Sequence, residues 1–205
     1  MSEDLGRLKV SPKRGDEHFH SDGAPLDYCF QEFWRWSVSD LVSNATRGIL
    51  AEFMVAKALG ISTDSVRDEW AAYDLTSPEG VRVEVKSAAY LQTWNQRTLS
   101  TIRFLTHKTK AFNPDTNTQD QESKRQADVY VFALLTHKDK ATIDPLNVNQ
   151  WCFYVVPTAT LDRRKRSQYS ITLKTLDQLC GGSVTHSQLH HSVVQAARGG
   201  NTKPV

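Results

Sequence analysis

The chain has 205 residues, 39% hydrophobic, 23% charged and 9% aromatic, with a formal net charge of +2. That balance excludes disordered and fibrous classes, and a chain this long buries roughly 70% of its unfolded surface, so folding needs no disulfide or metal staple. No apolar run approaches the ~20 residues of a membrane helix, and the acidic start Met1-Ser2-Glu3-Asp4-Leu5 lacks a secretory apolar core.

Three widely spaced cysteines (Cys29, Cys152, Cys180) form no Cys-x-x-Cys pattern. Together with the absence of apolar spans they predict a cytoplasmic protein with reduced thiols and no membrane contact. The charge is uneven. Residues 82–125 carry eight bases against four acids, and residues 160–174 carry five bases against Asp162 alone. Such local basic surface suits a phosphate-bearing partner.

In chain order, residues 1–26 are polar, contain Gly6, Pro12, Gly15, Gly23 and Pro25, and read as a flexible arm. A single domain over residues 27–200 is expected after it. Aromatics gather at Tyr28, Phe30, Phe33, Trp34 and Trp36. Ser39 or Asp40 could then cap a helix with the apolar stripe Leu41, Ala45, Ile49, Phe53 and Ala56, stopped by Gly60. Residues 70–75 and 81–86 read as strands flanking a turn, Thr76-Ser77-Pro78-Glu79-Gly80. A third strand is expected near 101–106, and the polar tract 107–123 is expected to be mobile or functional.

Residues 128–135 and 151–156 are almost wholly apolar, as befits central strands covered on both faces. Pro157 should end the second of these, with a short helix running into the basic run 163–166. A short strand at 170–173 and a helical turn ending at Gly181-Gly182 follow. Thr185, with Gln188 three residues on, resembles a capping box for a last helix that stops at Gly199-Gly200, with a loose tail beyond. The sum is one α/β sandwich.

The chemistry concentrates in one stretch. Val81, Val83 and Val85 alternate with Arg82, Glu84 and Lys86, so the valines share one face while Glu84 and Lys86 share the other. An acid and a lysine side by side on a mostly buried strand are costly unless each is satisfied. A hairpin would bring Asp74 beside Glu84. Two converging carboxylates can hold a hard divalent cation through oxygen, and a neighbouring lysine would reach attacking water and phosphate. Glu52 could join from the long helix, beside Gly48, whose missing side chain permits close approach.

In these residues the sequence resembles the PD-(D/E)XK, or restriction-endonuclease-like, nuclease superfamily. Glu52 within Arg47-Gly48-Ile49-Leu50-Ala51-Glu52, then Asp74, then Glu84-Val85-Lys86 carry the resemblance, with Tyr73 where the naming proline would stand. The resemblance implies a mixed central β-sheet flanked by α-helices, Mg²⁺-dependent cleavage of phosphodiesters (Mn²⁺ substituting), and often a homodimer. It assigns Asp74 and Glu84 as metal ligands, Lys86 as the residue that positions or activates water, and Glu52 as an accessory acid. A supporting glutamine after the lysine, as some members have, would be Gln92.

Arg97, Lys108, Lys110, Lys124 and Arg125 are candidate phosphate contacts, which position nucleic acid without reading its sequence. A second acid-x-lysine, Glu122-Ser123-Lys124, lies in the polar tract without valine alternation. His186, His190 and His191 have helical spacing, but no cysteine or acid completes a zinc pattern. No Gly-x-Ser-x-Gly elbow or Gly-x-x-x-x-Gly-Lys loop occurs. The expected activity is an Mg²⁺-dependent endonuclease of restriction, defence or repair type acting on double-stranded DNA. The alternative is a catalytically inactive nucleic-acid-binding or protein-interaction module on the same fold.

Overall fold

The computed structural model describes residues 5–165 and 168–200; Arg166, residues 1–4 of the expected arm and the tail after residue 200 lie outside them. The elements follow in the order β1 (His18–Ser21), β2 (Ala24–Cys29), α1 (Phe30–Val38), α2 (Asn44–Ala58), β3 (Leu75–Thr76), β4 (Arg82–Ala89), β5 (Arg103–Leu105), β6 (Phe112–Asn113) and β7 (Thr118–Gln119). Then come β8 (Val129–Leu135), β9 (Trp151–Pro157), α3 (Thr158–Asp162), β10 (Ser170–Thr172), α4 (Leu173–Cys180) and α5 (Leu189–Gly200). No described helix is long and apolar enough to cross a membrane.

Four strands form the central sheet in the order β3-β4-β8-β9. β4 runs parallel to β8, while β3 and β9 pair antiparallel at the two edges, so the sheet is mixed. All seven residues of β8 are buried, because both faces are covered. On one face Val83, Val85, Val129 and Val131 pack against Met54 and Val55 of α2 and Leu189 and Val193 of α5. On the other, Tyr130, Phe132, Leu134 and Val156 meet Phe104 of β5, Leu161 of α3, Ile171 of β10 and Leu176 of α4. The period-two alternation of β4 therefore decides the fate of its charged residues: Glu84 and Lys86 project on the second face, away from the helices α2 and α5.

Several elements differ from expectation. The long helix starts at Asn44 rather than near residue 41, with Ser43 as its N-terminal cap residue, because Asp40 accepts from the Val42 and Ser43 backbone and closes a separate turn. Its buried face is Arg47, Ala51, Met54, Val55 and Ala56, whereas Ile49 and Phe53 of the expected stripe are 49% and 48% exposed. Of the expected strand at 70–75, only Leu75 pairs, in β3 with Thr76; residues 70–74 form turns and bends. The strand expected near 101–106 is β5, which pairs with β10 instead of joining the central sheet.

The aromatic segment 28–38 closes β2 and forms α1, in which Phe30 contacts Phe33 and Trp34 and no residue is buried. Before it, β1 and β2 make a hairpin across the expected arm boundary at residue 26. Its two central turn residues, Asp22 and Gly23, both have positive φ, 51° and 81°, as tight hairpins with this handedness require. Within the polar tract, β6 and β7 form a second small hairpin, and Thr109 bridges Lys124 just outside it.

Candidate active site

Asp74 stands just before β3, where that short strand stops covering the edge of β4. Its Oδ2 accepts from the Val85 backbone N–H at 2.7 Å, so a side chain supplies the partner that a longer β3 would have given. Glu84 and Lys86, two residues apart on the second face of β4, form an ion pair with Nζ 2.5 Å from Oε1. Glu52 arrives from α2 and is held in a two-pronged pair by Arg67, whose Nη2 lies 2.9 Å from Oε1.

The charges are unequally compensated. Glu84 has Lys86 and Glu52 has Arg67, but no salt bridge to Asp74 occurs among the described residues. Burial, then the charge of Glu84, then that of Glu52 push the Asp74 carboxyl up from 3.8 to about 7. Three carboxylates thus crowd a partly dry corner with two cations, and Asp74 is the one without a salt-bridge partner. No group of three or more Asp, Glu, His or Cys side chains encloses a metal position among the described residues. That is not a misfit for Mg²⁺, which commonly takes only one or two carboxylates and fills its shell with water and substrate phosphate. Asp74 and Glu84 offer that donor set, and the unrelieved repulsion at Asp74 is what a cation there would remove.

Two spaces adjoin these groups. One, of about 270 Å³, is bordered by Asp74, Glu84, Trp70, Lys110 and Phe112. The other, about 30 Å³ and bordered by Glu84, Lys86, His107 and Tyr130, is large enough for a water molecule. Tyr130 pairs in register with Glu84 on the neighbouring strand. Burial, followed by the Glu84 charge, pushes its phenol well above the usual range, so Tyr130 stays a neutral O–H beside the acids.

Of the expected phosphate contacts, Lys110 lines the larger space, and Lys108 and Lys124 are exposed, Lys124 as the bridge partner of Thr109 and Lys108 as its chain neighbour. Arg97 lies elsewhere, beside Leu91, Gln96 and Lys140. Arg125 is not a surface group at all. It is 6% exposed, pairs with Asp162, and donates to the Thr106 and Gln168 carbonyls, tying the start of β8 to the β5–β10 ribbon. Gln92 falls beyond the end of β4, so strand alternation does not carry it to the face of Lys86. It is 8% exposed, and its Nε2 donates to the Ala89 carbonyl and Ser100 Oγ.

Arg67, Trp70, Tyr130 and Phe112 were not singled out by sequence reasoning at the site. Tyr130 carried a readable signal, since β8 pairs with β4 and an aromatic there must lie over the strand that bears Glu84. Arg67 sits in an irregular segment with no period to read, and Trp70 reads from sequence only as the first residue of an expected strand.

Comparison with known proteins places this molecule in the endonuclease class. The family model that matches it describes bacteriophage T4 endonuclease IV and spans residues 26–174, well over half of the chain, so the chain belongs to that family. No curated protein matches it. Glu52, Asp74, Glu84 and Lys86 all lie inside the matched span.

Proposed function

We propose that the protein is an Mg²⁺-dependent DNA endonuclease of PD-(D/E)XK type on a restriction-endonuclease-like sheet, with Asp74 and Glu84 holding the ion. The family match supports DNA as the substrate. The single observation that carries the metal reading is the buried Asp74 carboxyl, crowded by Glu84 and Glu52 and without a salt-bridge partner among the described residues. Such a group is expensive to keep ionised unless a ligand of opposite charge completes it.

Bound Mg²⁺ would supply charge neutralisation on the phosphate and favour ionisation of water near neutral pH. The chain's own groups do the rest. Asp74 keeps its orientation through the Val85 N–H. Lys86 Nζ, a donor already fixed by Glu84, directs a proton toward the attacking oxygen or a scissile phosphate oxygen and offsets charge as it grows there. Glu52, locked by Arg67, holds negative potential against the ion from the helix side. Lys108, Lys110 and Lys124 draw the phosphate backbone to the opening by charge alone.

The test is nicking of supercoiled plasmid with Mg²⁺ or Mn²⁺, beside an EDTA control. Lys86→Ala should lose roughly 10²–10³-fold in rate, the scale of removing one preorganised charge-stabilising donor, while keeping its fold by circular dichroism. Cutting that survives unchanged in Lys86→Ala overturns this site. If titration calorimetry shows no divalent ion bound by wild type even with DNA present, the inactive binding module is the better reading.

A further inference from the structure

We propose that Trp70, braced by Phe112, is a stacking platform for one nucleobase of the substrate beside the scissile phosphate. The inference rests on the nuclease reading above for its ligand class and adds to it a residue that contacts a base. Trp70 is 63% exposed, yet it borders the same 270 Å³ space as Asp74 and Glu84. Its ring centroid is 5.8 Å from that of Phe112, with the planes tilted by 60°. An aromatic that leans on a neighbour's ring while leaving much of its surface to water, on the border of a space that two carboxylates also line, is an unfilled half of a contact.

The two rings come from different segments: Trp70 from the irregular stretch before β3, and Phe112 from the β6–β7 hairpin. Polar contacts run within and between the segments. The Trp70 backbone N–H donates to Asp68 Oδ1 at 3.1 Å. Arg7 bridges them, with Nη2 2.7 Å from Asp68 Oδ2 and Nη1 3.5 Å from Asp115 Oδ1. Exposed ion pairs contribute little energy, so the Arg7 contacts show that the two segments lie side by side rather than clamping them. Lys110, on the wall of the same space, supplies the charge that a base-stacking groove pairs with its aromatic surface.

A base stacked on Trp70 must present a free face, so it is unpaired or turned out of its helix. Stacking is indifferent to base identity but needs a ring. The test is a cycle of protein and substrate changes. A labelled single-stranded oligonucleotide, and a set carrying one abasic residue at successive positions, are bound in Ca²⁺ and followed by fluorescence anisotropy; the same set is then cleaved in Mg²⁺.

For wild type, one abasic position should weaken binding by roughly 5- to 150-fold. Trp70→Ala should weaken binding of the intact strand by a similar factor and be indifferent to that abasic position, while Trp70→Phe recovers most of the loss and Trp70→Leu does not. If Trp70→Ala and wild type respond alike to every abasic position, or Leu rescues as well as Phe, the stacking role is overturned while cleavage still stands. Base-dependent binding without any cleavage would instead remove the catalytic reading and leave the platform. Failure of wild type to bind any oligonucleotide overturns the platform, and plasmid nicking then judges the reaction by itself.

Discussion

Asp74 meets two demands at once: its Oδ2 completes the edge of β4, and its charge sits among other acids with no cation of its own. In the unfolded chain its proton leaves near 3.8, whereas the folded carboxyl keeps it to about 7. Between those values the folded state binds more proton, so this group makes the metal-free protein less stable as pH rises through the window. Asp74→Asn keeps an acceptor for Val85 and removes the charge. In EDTA at pH 8 it should melt higher than wild type, by roughly 2–4 °C for each kcal/mol relieved, with the gain shrinking at pH 5 and Mg²⁺ no longer raising Tm. A lower Tm than wild type at pH 8 would show that the charge is not the dominant strain. The sequence made Asp74, Glu84 and Lys86 visible because valine alternation fixes a face whatever the neighbours are. It could not separate Lys110, on the wall of the opening, from Arg125, buried against Asp162. A basic residue is written the same way in either place, and its partners here are 19 or more residues away.

At the level of single elements, α2 shows where periodicity misleads. Ile49 and Phe53 are the bulkier apolar residues, but Met54 and Val55 face the sheet. A helix with apolar residues nearly all round offers two stripes, and only the position of β4 selects one. Met54→Ala should therefore cost about 2–5 kcal/mol, and Phe53→Ala below about 1 kcal/mol, read from urea midpoints at unchanged m. Equal costs would restore the stripe expected from sequence. The end signals were legible because they act locally: the Thr185 and Gln188 capping box forms, and Gly181 takes a left-handed φ of 68° after α4. Residues 70–74 mislead for the converse reason. Aromatic and apolar content suggests a strand, but a strand needs a partner, and there the Asp74 side chain takes the hydrogen bond that a backbone would have made.

Across the whole molecule the net charge of +2 is a poor guide to nucleic-acid affinity, since what counts is how many cations reach phosphate. Lys108→Ala, Lys110→Ala and Lys124→Ala should each lower the slope of log affinity against log salt by about 1. Arg97→Ala should leave the slope unchanged. Arg125→Ala should cost stability instead, about 3 kcal/mol given that Asp162 stays half exposed. Anisotropy titrations from low to moderate salt and a urea melt check both halves. Loss of slope in Arg125→Ala without loss of stability would contradict the buried placement. The parallel pairing of β4 with β8 has a further consequence, for the order of events during folding. Asp74 and Glu84 are ten residues apart and meet through a short local turn, which forms quickly. Tyr130 and the wall bearing Lys110 close over them only after the crossover of residues 90–128 has docked, and non-local pairings of that kind come late. The acids are thus assembled while still hydrated, and their repulsion becomes costly only when the last segment seals the corner. A cation bound at that corner acts on a late-formed contact, so it should slow unfolding far more than it speeds folding.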